Sequence, residues 1–240
     1  MPDLSGALGT MHGATRSSAT PPPSSLRERK KLRTRDALSL AALDLARRHG
    51  FEKMTVEQIA AEADVSRRTF FRYFATKEAA LFPHHVARIT RFRALVRFGP
   101  EGEEPFEAVR RAFHRLAEDW MREREEIVAQ QRVVDASPAL IAFERTLDRE
   151  WDREVALALN AHSSRAATAG RAAPSARATR IFAGATMGAI RAALRVWFDA
   201  DGRIDLVALG RETFDQLAPI GHAVLGNGPR PRPRPRHQRR

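Results

Sequence analysis

TVEQIAAEADVSRRTFFRYFATKEAAL, residues 55–81, is the stretch whose reading decides the fold. Thr55 followed three residues later by Gln58 is a capping-box pattern, in which each side chain satisfies a backbone donor that the first helical turn leaves free. It opens a short helix through about Ala63, with Val56, Ile59 and Ala60 on its inner side. Asp64-Val65-Ser66 is then a tight turn, and Ser66 is a good N-cap for a second helix from Arg67 to Phe74. Two short helices joined by so tight a turn, the first rich in alanine, match a helix-turn-helix.

The second helix carries the chemistry. At about 100° per residue, Arg67, Phe71, Arg68 and Arg72 fall within one arc, and Tyr73, Phe70 and Phe74 on the opposite side. Three arginines around a phenylalanine suit a major groove, because arginine pairs bidentately with guanine and a ring can touch a thymine methyl. The plainer alternative is a solvated basic face with one exposed ring; the capped helix and turn just before it favour groove contact. Thr76 caps a further helix with Lys77 in its first turn, which offers backbone N–H groups and a lysine to a phosphate. A plain surface lysine is the alternative for Lys77.

These residues closely resemble the DNA-binding domain of the TetR family of bacterial transcriptional regulators, in the turn, the recognition helix and the Lys-Glu that opens the next helix. By that resemblance the DNA-contact positions are Thr55, Ser66, Arg67, Arg68, Thr69, Phe71, Arg72, Tyr73 and Lys77. The sequence departs from the family pattern twice. Asp64 stands where glycine is common, and aspartate tolerates a left-handed backbone better than most residues. Phe71 stands where tyrosine is common, so no hydroxyl can reach a phosphate there.

Upstream, Ser24 or Ser25 caps a helix to about His49 whose Leu38, Ala41, Ala42, Leu45 and Ala46 form one apolar stripe, stopped by Gly50. Its start, Arg27 to Arg35, holds six basic residues and one acid. Basic charge opposes the dipole at a helix N-terminus, a cost tolerable where phosphates lie nearby. The chain's formal charge of +12 is distributed unevenly along its 240 residues. Residues 25–82 carry +5, residues 83–225 only +1, and the last 15 residues +6. Residues 1–24 are neutral, rich in Ser, Thr, Gly, Ala and Pro, and read as a disordered arm in which Met11 is a second candidate start. Residues 226–240 read as a disordered Arg-Pro tail, either a non-specific clamp on phosphates or a solubilising segment.

Residues 83–225 read as helices throughout, so the expected fold is all-α: an N-terminal three-helix helix-turn-helix domain (25–82) and a larger helical effector-binding and dimerisation domain. The fourth helix is expected from Thr76 to about Phe98, a fifth from Pro105 to Glu125 and a sixth from Glu126 to Asp135. A seventh spans Ala139 to Ala161, then a loop 162–174, and two long helices cover Ser175–Asp199 and Asp205–Leu225. Gly184, Gly188 and Ala192 recur every four residues, as do Ala185, Ala189 and Ala193, so another helix can approach closely. Packing within one subunit would use that spacing equally well. The resemblance implies instead that the last two helices form a homodimer interface. Independently, one recognition helix reads only a few base pairs, so specificity calls for paired half-sites about one helical turn apart.

The body resembles an actinobacterial subgroup that includes the mycofactocin-system regulators, in Gln131-Arg132-Val-Val-Asp-Ala-Ser-Pro-Ala-Leu, in Arg145 and Trp151, and in the alanine-rich helix ending at Trp197. For that subgroup a fatty acyl-CoA type effector is implied. Phe113, Trp120, Phe143, Trp151 and Met187 are candidates to line an apolar effector pocket, with His114, Arg132 or Arg191 as polar anchors. Ordinary core packing is the alternative for each apolar residue; an anionic effector would use such an arginine.

The exclusions are broad. Cysteine is absent, so disulfides, thiolate metal sites and cysteine nucleophiles are ruled out. His84 and His85 are adjacent and point apart on a helix, so no metal is expected there. No phosphate loop, dinucleotide fingerprint or nucleophile elbow occurs, so neither an enzyme nor a cofactor is expected. Aromatic residues make up 7%, few for a stacking single-strand binder. No apolar run approaches the roughly 18 residues of a membrane span. The expectation is a cytoplasmic homodimeric regulator, most simply a repressor, that binds a palindromic double-stranded DNA operator and is released by a small apolar or acyl effector. A constitutive architectural DNA-binding protein without an effector is the rival.

Overall fold

The computed structural model describes residues 25–168 and 175–225. The expected disordered arm 1–24, the tail 226–240 and residues 169–174 of the expected loop lie outside the described residues. Those described form nine α-helices, one 3₁₀ turn and no strand.

The first helix, α1 (Leu26–His49), starts where the Ser25 hydroxyl accepts from Glu28 N at 3.2 Å and stops at Gly50, whose φ of 83° only glycine adopts without strain. Its buried residues are the expected stripe Leu38, Ala41, Ala42, Leu45 and Ala46. In α2 (Val56–Glu62) the capping box is formed in both directions, Gln58 N to Thr55 Oγ1 at 3.2 Å and Thr55 N to Gln58 Oε1 at 2.9 Å. Asp64 holds the left-handed turn position at φ 51°, and Ser66 caps α3 (Arg67–Tyr73) by accepting from Thr69 N at 3.1 Å. Phe70 and Phe74 close the head's core against α1 and α2.

The expected fourth helix is broken. Thr76 does cap, but only a 3₁₀ turn, Ala79–Leu81; α4 starts anew at His85 and ends at Arg97. Pro83 explains the break: its ring removes a backbone donor and disfavours helical geometry at the residue before it. After the Gly99–Gly102 turn come α5 (Pro105–Arg122) and α6 (Arg124–Asp135). The next helix, α7, runs from Pro138 to Thr168, longer than expected, so residues 162–168 of the anticipated loop are helical.

The pair α8 (Ala176–Asp199) and α9 (Leu206–Val224) packs on α7 and α5 to build the body's core around Phe92, Phe106, Val109, Leu159, Phe182 and Phe214. Asp201 and Gly202, both at positive φ, make the sharp turn between them. A Cβ on Gly202 would lie 2.9 Å from Arg124 Cγ and Val128 Cγ2, so glycine is also required by space. Contrary to the expectation of no spanning-length segment, α8 is long and apolar enough by length and composition to cross a membrane, with 33% of its apolar window buried. Alanine and glycine raise its hydropathy, while Phe182, Met187 and Trp197 are buried on the body.

Candidate nucleic-acid interface and effector cavity

On α3 the structure sorts the helix as its spacing implies. Arg67, Arg68 and Arg72 are exposed, Phe71 is 47% exposed, and Phe70 is fully buried. Arg67 is steadied by Glu57 at 3.1 Å and lies over the Phe71 ring, and Arg72 lies over Tyr73. No ion pair among the described residues reaches Arg68. The Thr55 and Ser66 hydroxyls cap α2 and α3, the Thr69 hydroxyl pairs with that of Ser66 at 3.0 Å, and half-buried Tyr73 packs against the head's core. The exposed arc is therefore a rigid basic surface on a helix held from behind by two phenylalanines.

Two basic side chains face inward instead. The Lys77 ammonium donates to the carbonyls of Phe51 at 3.0 Å, Glu52 at 3.4 Å and Met54 at 2.9 Å, and sits 4.3 Å from the centre of the Phe51 ring. All three donors of the ammonium are used within the fold, which leaves none for a phosphate. Lys77 clamps the loop between α1 and α2. Arg35, from the basic start of α1, donates to the Pro83 carbonyl and lies over Phe74. The residues of α1 before it, Leu26 to Arg33, are exposed on every side.

In the body, α4 to α9 enclose a cavity of about 250 Å³. Phe113, His114, Trp120, Trp151, Met187 and Arg191 all line it. Arg132 and Phe143 do not. Arg132 points outward to Asp201 at 2.8 Å, because that face of α6 looks onto the α8–α9 turn. Phe143 packs behind the wall on Phe82, their ring centres 5.6 Å apart. Wall residues absent from the sequence reading include Phe82, Arg88, Gln130, Glu144, Asp148 and Phe214. Glu144 and Asp148 had a legible signal: with Leu140, Trp151 and Val155 they fall on one helical stripe, and acids on a buried stripe are rarely idle.

The wall's charges are strongly perturbed. Burial lifts the Glu144 carboxyl above its ordinary range, and Asp148 nearby pushes it the same way. Burial raises Asp148 too, against the pull of Arg191. Burial, with Arg110 and Arg211 close by, depresses the His114 imidazole, whose Nε2 is buried without a hydrogen-bond partner. Burial likewise lowers Arg88, which stacks 4.7 Å from the Trp120 ring centre and reaches Glu123 at 3.4 Å.

One helix touches both sites. Ile127, Gln130 and Gln131 of α6 line the cavity, and Gln130 donates to the Leu81 carbonyl of the head at 2.6 Å. One turn later Val133 and Val134 enter the head's own core together with Leu140 of α7. Between them Ser137, 1% exposed, donates to Glu52 Oε1 at 2.6 Å, which holds the Glu52 carboxyl below its usual range. Head and body thus share a hydrophobic core rather than meeting across a linker.

Comparison with known proteins agrees with this two-part architecture. The family model described as bacterial regulatory proteins, tetR family, matches residues 40–82, and the MftR C-terminal domain matches residues 103–221. The transcriptional regulator TcmR of Streptomyces glaucescens is 39% identical over 130 residues, 52% of this chain and 58% of its own length. MftR of Mycobacterium tuberculosis, named for mycofactocin biosynthesis, is 30% identical over 131 residues, 53% of this chain and 64% of its own. The match therefore spans less than two thirds of either relative. Among solved structures, the complex of SmeT with triclosan superposes with a TM-score of 0.56 at 19% identity, over 84% of this chain and 99% of that one. Thermus thermophilus FadR, a repressor solved with lauroyl-CoA, gives 0.52 at 22%, over 84% and 98%. By head, body and fold alike, this chain belongs to the TetR family of bacterial regulatory proteins.

Proposed function

We propose that the protein is a cytoplasmic transcriptional regulator, most simply a repressor, which binds a palindromic operator as a homodimer and is released by a small, mainly apolar effector. The observation that carries this reading is the double duty of α6, which walls the cavity and inserts into the head's core within two turns. A ligand that favours one position of α6 over another biases the position of the head, and only that difference in affinity can drive release.

In this reading Arg68 and Arg72 read base edges, Arg67 and Phe71 fill the groove between them, and the exposed basic start of α1 tracks the backbone. Thr55, Ser66, Thr69 and Tyr73 shape and hold that surface. The dimer forms through α8 and α9. A Cβ on Gly184 or Gly188 would meet nothing within 4 Å inside the subunit, and Ile181, Val196 and Ile220 on the same two helices are 68%, 50% and 54% exposed. Small residues flanked by exposed aliphatic ones suit a closely approaching second copy. That SmeT and FadR were solved with triclosan and lauroyl-CoA supports an apolar occupant for the cavity.

Selection of bound sequences from a random DNA pool, followed by footprinting, tests the proposal. A discrete inverted repeat with half-sites about one helical turn apart is the expected result. Uniform coating without a preferred sequence would overturn it in favour of an architectural protein, the reading that the +6 carried by the last 15 residues supports.

A further inference from the structure

We propose that the effector carries a cationic nitrogen on an apolar, ring-containing body, and that Glu144 and Asp148 hold that cation at the cavity wall. The inference rests on the cavity being the effector site and deepens that reading by assigning the charge of the ligand's polar end.

The wall is asymmetric in charge once each pair is followed outward. Its three arginines are already matched: Arg88 with Glu123 at 3.4 Å, Arg191 with Asp152 at 3.0 Å, and Arg195 with both oxygens of Asp135 at 3.1 and 3.2 Å. Glu123, Asp152 and Asp135 are not part of the wall. What remains is Glu144 and Asp148, one turn apart on α7 and on the same face as Trp151. Glu144 has the neutral amide of Gln131 nearby, which itself donates to Asp135 Oδ1 at 3.0 Å, with Asp148 and Asp135 as like-charged neighbours and Arg195 as its nearby counter-charge. Asp148 reaches Arg191 only at 4.0 Å, and shares that guanidinium with Asp152. The His85 ring near Asp148 is itself engaged by Glu150 at 2.8 Å. His84, Arg88 and His114 complete the titratable lining.

Three ligand chemistries then separate. A carboxylate or phosphate would meet two acids and arginines that are already paired. A neutral ligand would leave two half-buried acids undercompensated. A cation neutralises them, and the ring of Trp151, one turn further along α7, favours it further. Arg191, the anchor expected for an anionic effector, is thus part of the wall's own charge pairing.

The test uses one ring system with three end groups: 2-naphthylmethylamine, 2-naphthylmethanol and 2-naphthylacetate, titrated into the full chain by quenching of tryptophan fluorescence. The amine is expected to bind at least tenfold more tightly than the alcohol, with the acetate weakest. In E144Q and D148N, with helical content checked by circular dichroism, the amine-to-alcohol ratio should fall toward one. It should also fall as pH is lowered toward the ordinary carboxylate range, because both carboxyls are raised and take up protons before free carboxylates do, while the amine stays charged. Tightest binding of the acetate, equal binding of amine and alcohol, or a ratio unchanged in both variants would overturn the cationic assignment and leave the cavity as an effector site. Failure of all three probes to bind would overturn the effector reading along with it.

Discussion

Lys77 and Arg68 carry the same charge nine residues apart, and their surroundings give them different work. Lys77→Met removes three hydrogen bonds to loop carbonyls, so it should destabilise the protein by about 1–3 kcal/mol while leaving the salt dependence of DNA binding nearly unchanged. Arg68→Ala should alter stability by no more than about 0.5 kcal/mol, yet cost about 1–3 kcal/mol of discrimination against a mismatched operator. Denaturant titration beside operator titration separates the two; equal behaviour would contradict both assignments. Glu144 and His114 make opposite pH contributions. The raised Glu144 carboxyl binds its proton more readily in the fold, so its contribution is full below the ordinary carboxylate range and lost as pH rises through the raised value. Glu144→Gln should therefore melt at a higher temperature at neutral pH, with the gain gone below about pH 4. The depressed His114 works the other way, its contribution present above about pH 6.5 and lost as pH falls below that. In His114→Gln the loss of stability just below pH 6.5 should be shallower, which a melting series across pH would show.

Helices show where reading by pattern holds and where it breaks. The stripe on α1, both caps of the helix-turn-helix and the left-handed turn at Asp64 are local devices, complete within four residues of one another. The continuous fourth helix failed although its signal was present, since Pro83 lies inside it and forbids the geometry. The long α7 was missed for the opposite reason: Ala161-His-Ser-Ser-Arg-Ala-Ala-Thr168 has weak helical periodicity but contains no breaker, so a helix already nucleated on the core continues through it. At the junction of α6 and α7, Ser137 both caps Leu140 N at 3.3 Å and donates to Glu52. Ser137→Ala should lower stability by about 1–2 kcal/mol and weaken the release of operator by a bound effector. Measured effector affinity should change little. Unaltered release in this variant would show that the head senses the body by another route.

For the whole molecule, the surface of α8 and α9 left open by the subunit is the place to test assembly. Gly188→Leu adds a side chain where the single subunit has room, so helical content should persist while the dimer dissociates by at least tenfold and operator affinity drops with it. Sedimentation equilibrium reads the first effect and DNA titration the second. A Gly188→Leu protein that remains dimeric would place the interface elsewhere.

Residues 25–82 were legible from the chain alone because their fold is written in contacts of three and four residues, in caps and in a turn that few sequences satisfy together. The excess charge told less than its total suggested. Part of it turns inward as Lys77 and Arg35, and burial is a property of neighbours distant in sequence, such as Phe51 and Pro83. The cavity was only partly legible for the same reason. Phe113, Trp120, Trp151 and Met187 announce apolar surface, but a periodic apolar residue packs a core or lines a cavity with the same spacing, and only helix placement decides which. Whether an arginine is a ligand anchor or half of an ion pair depends on which acid the fold brings beside it, across 39 residues for Arg191 and Asp152. Local sequence determined the exposed basic helix α3; long-range packing alone decided the charge of the cavity and the helix that joins it to the head.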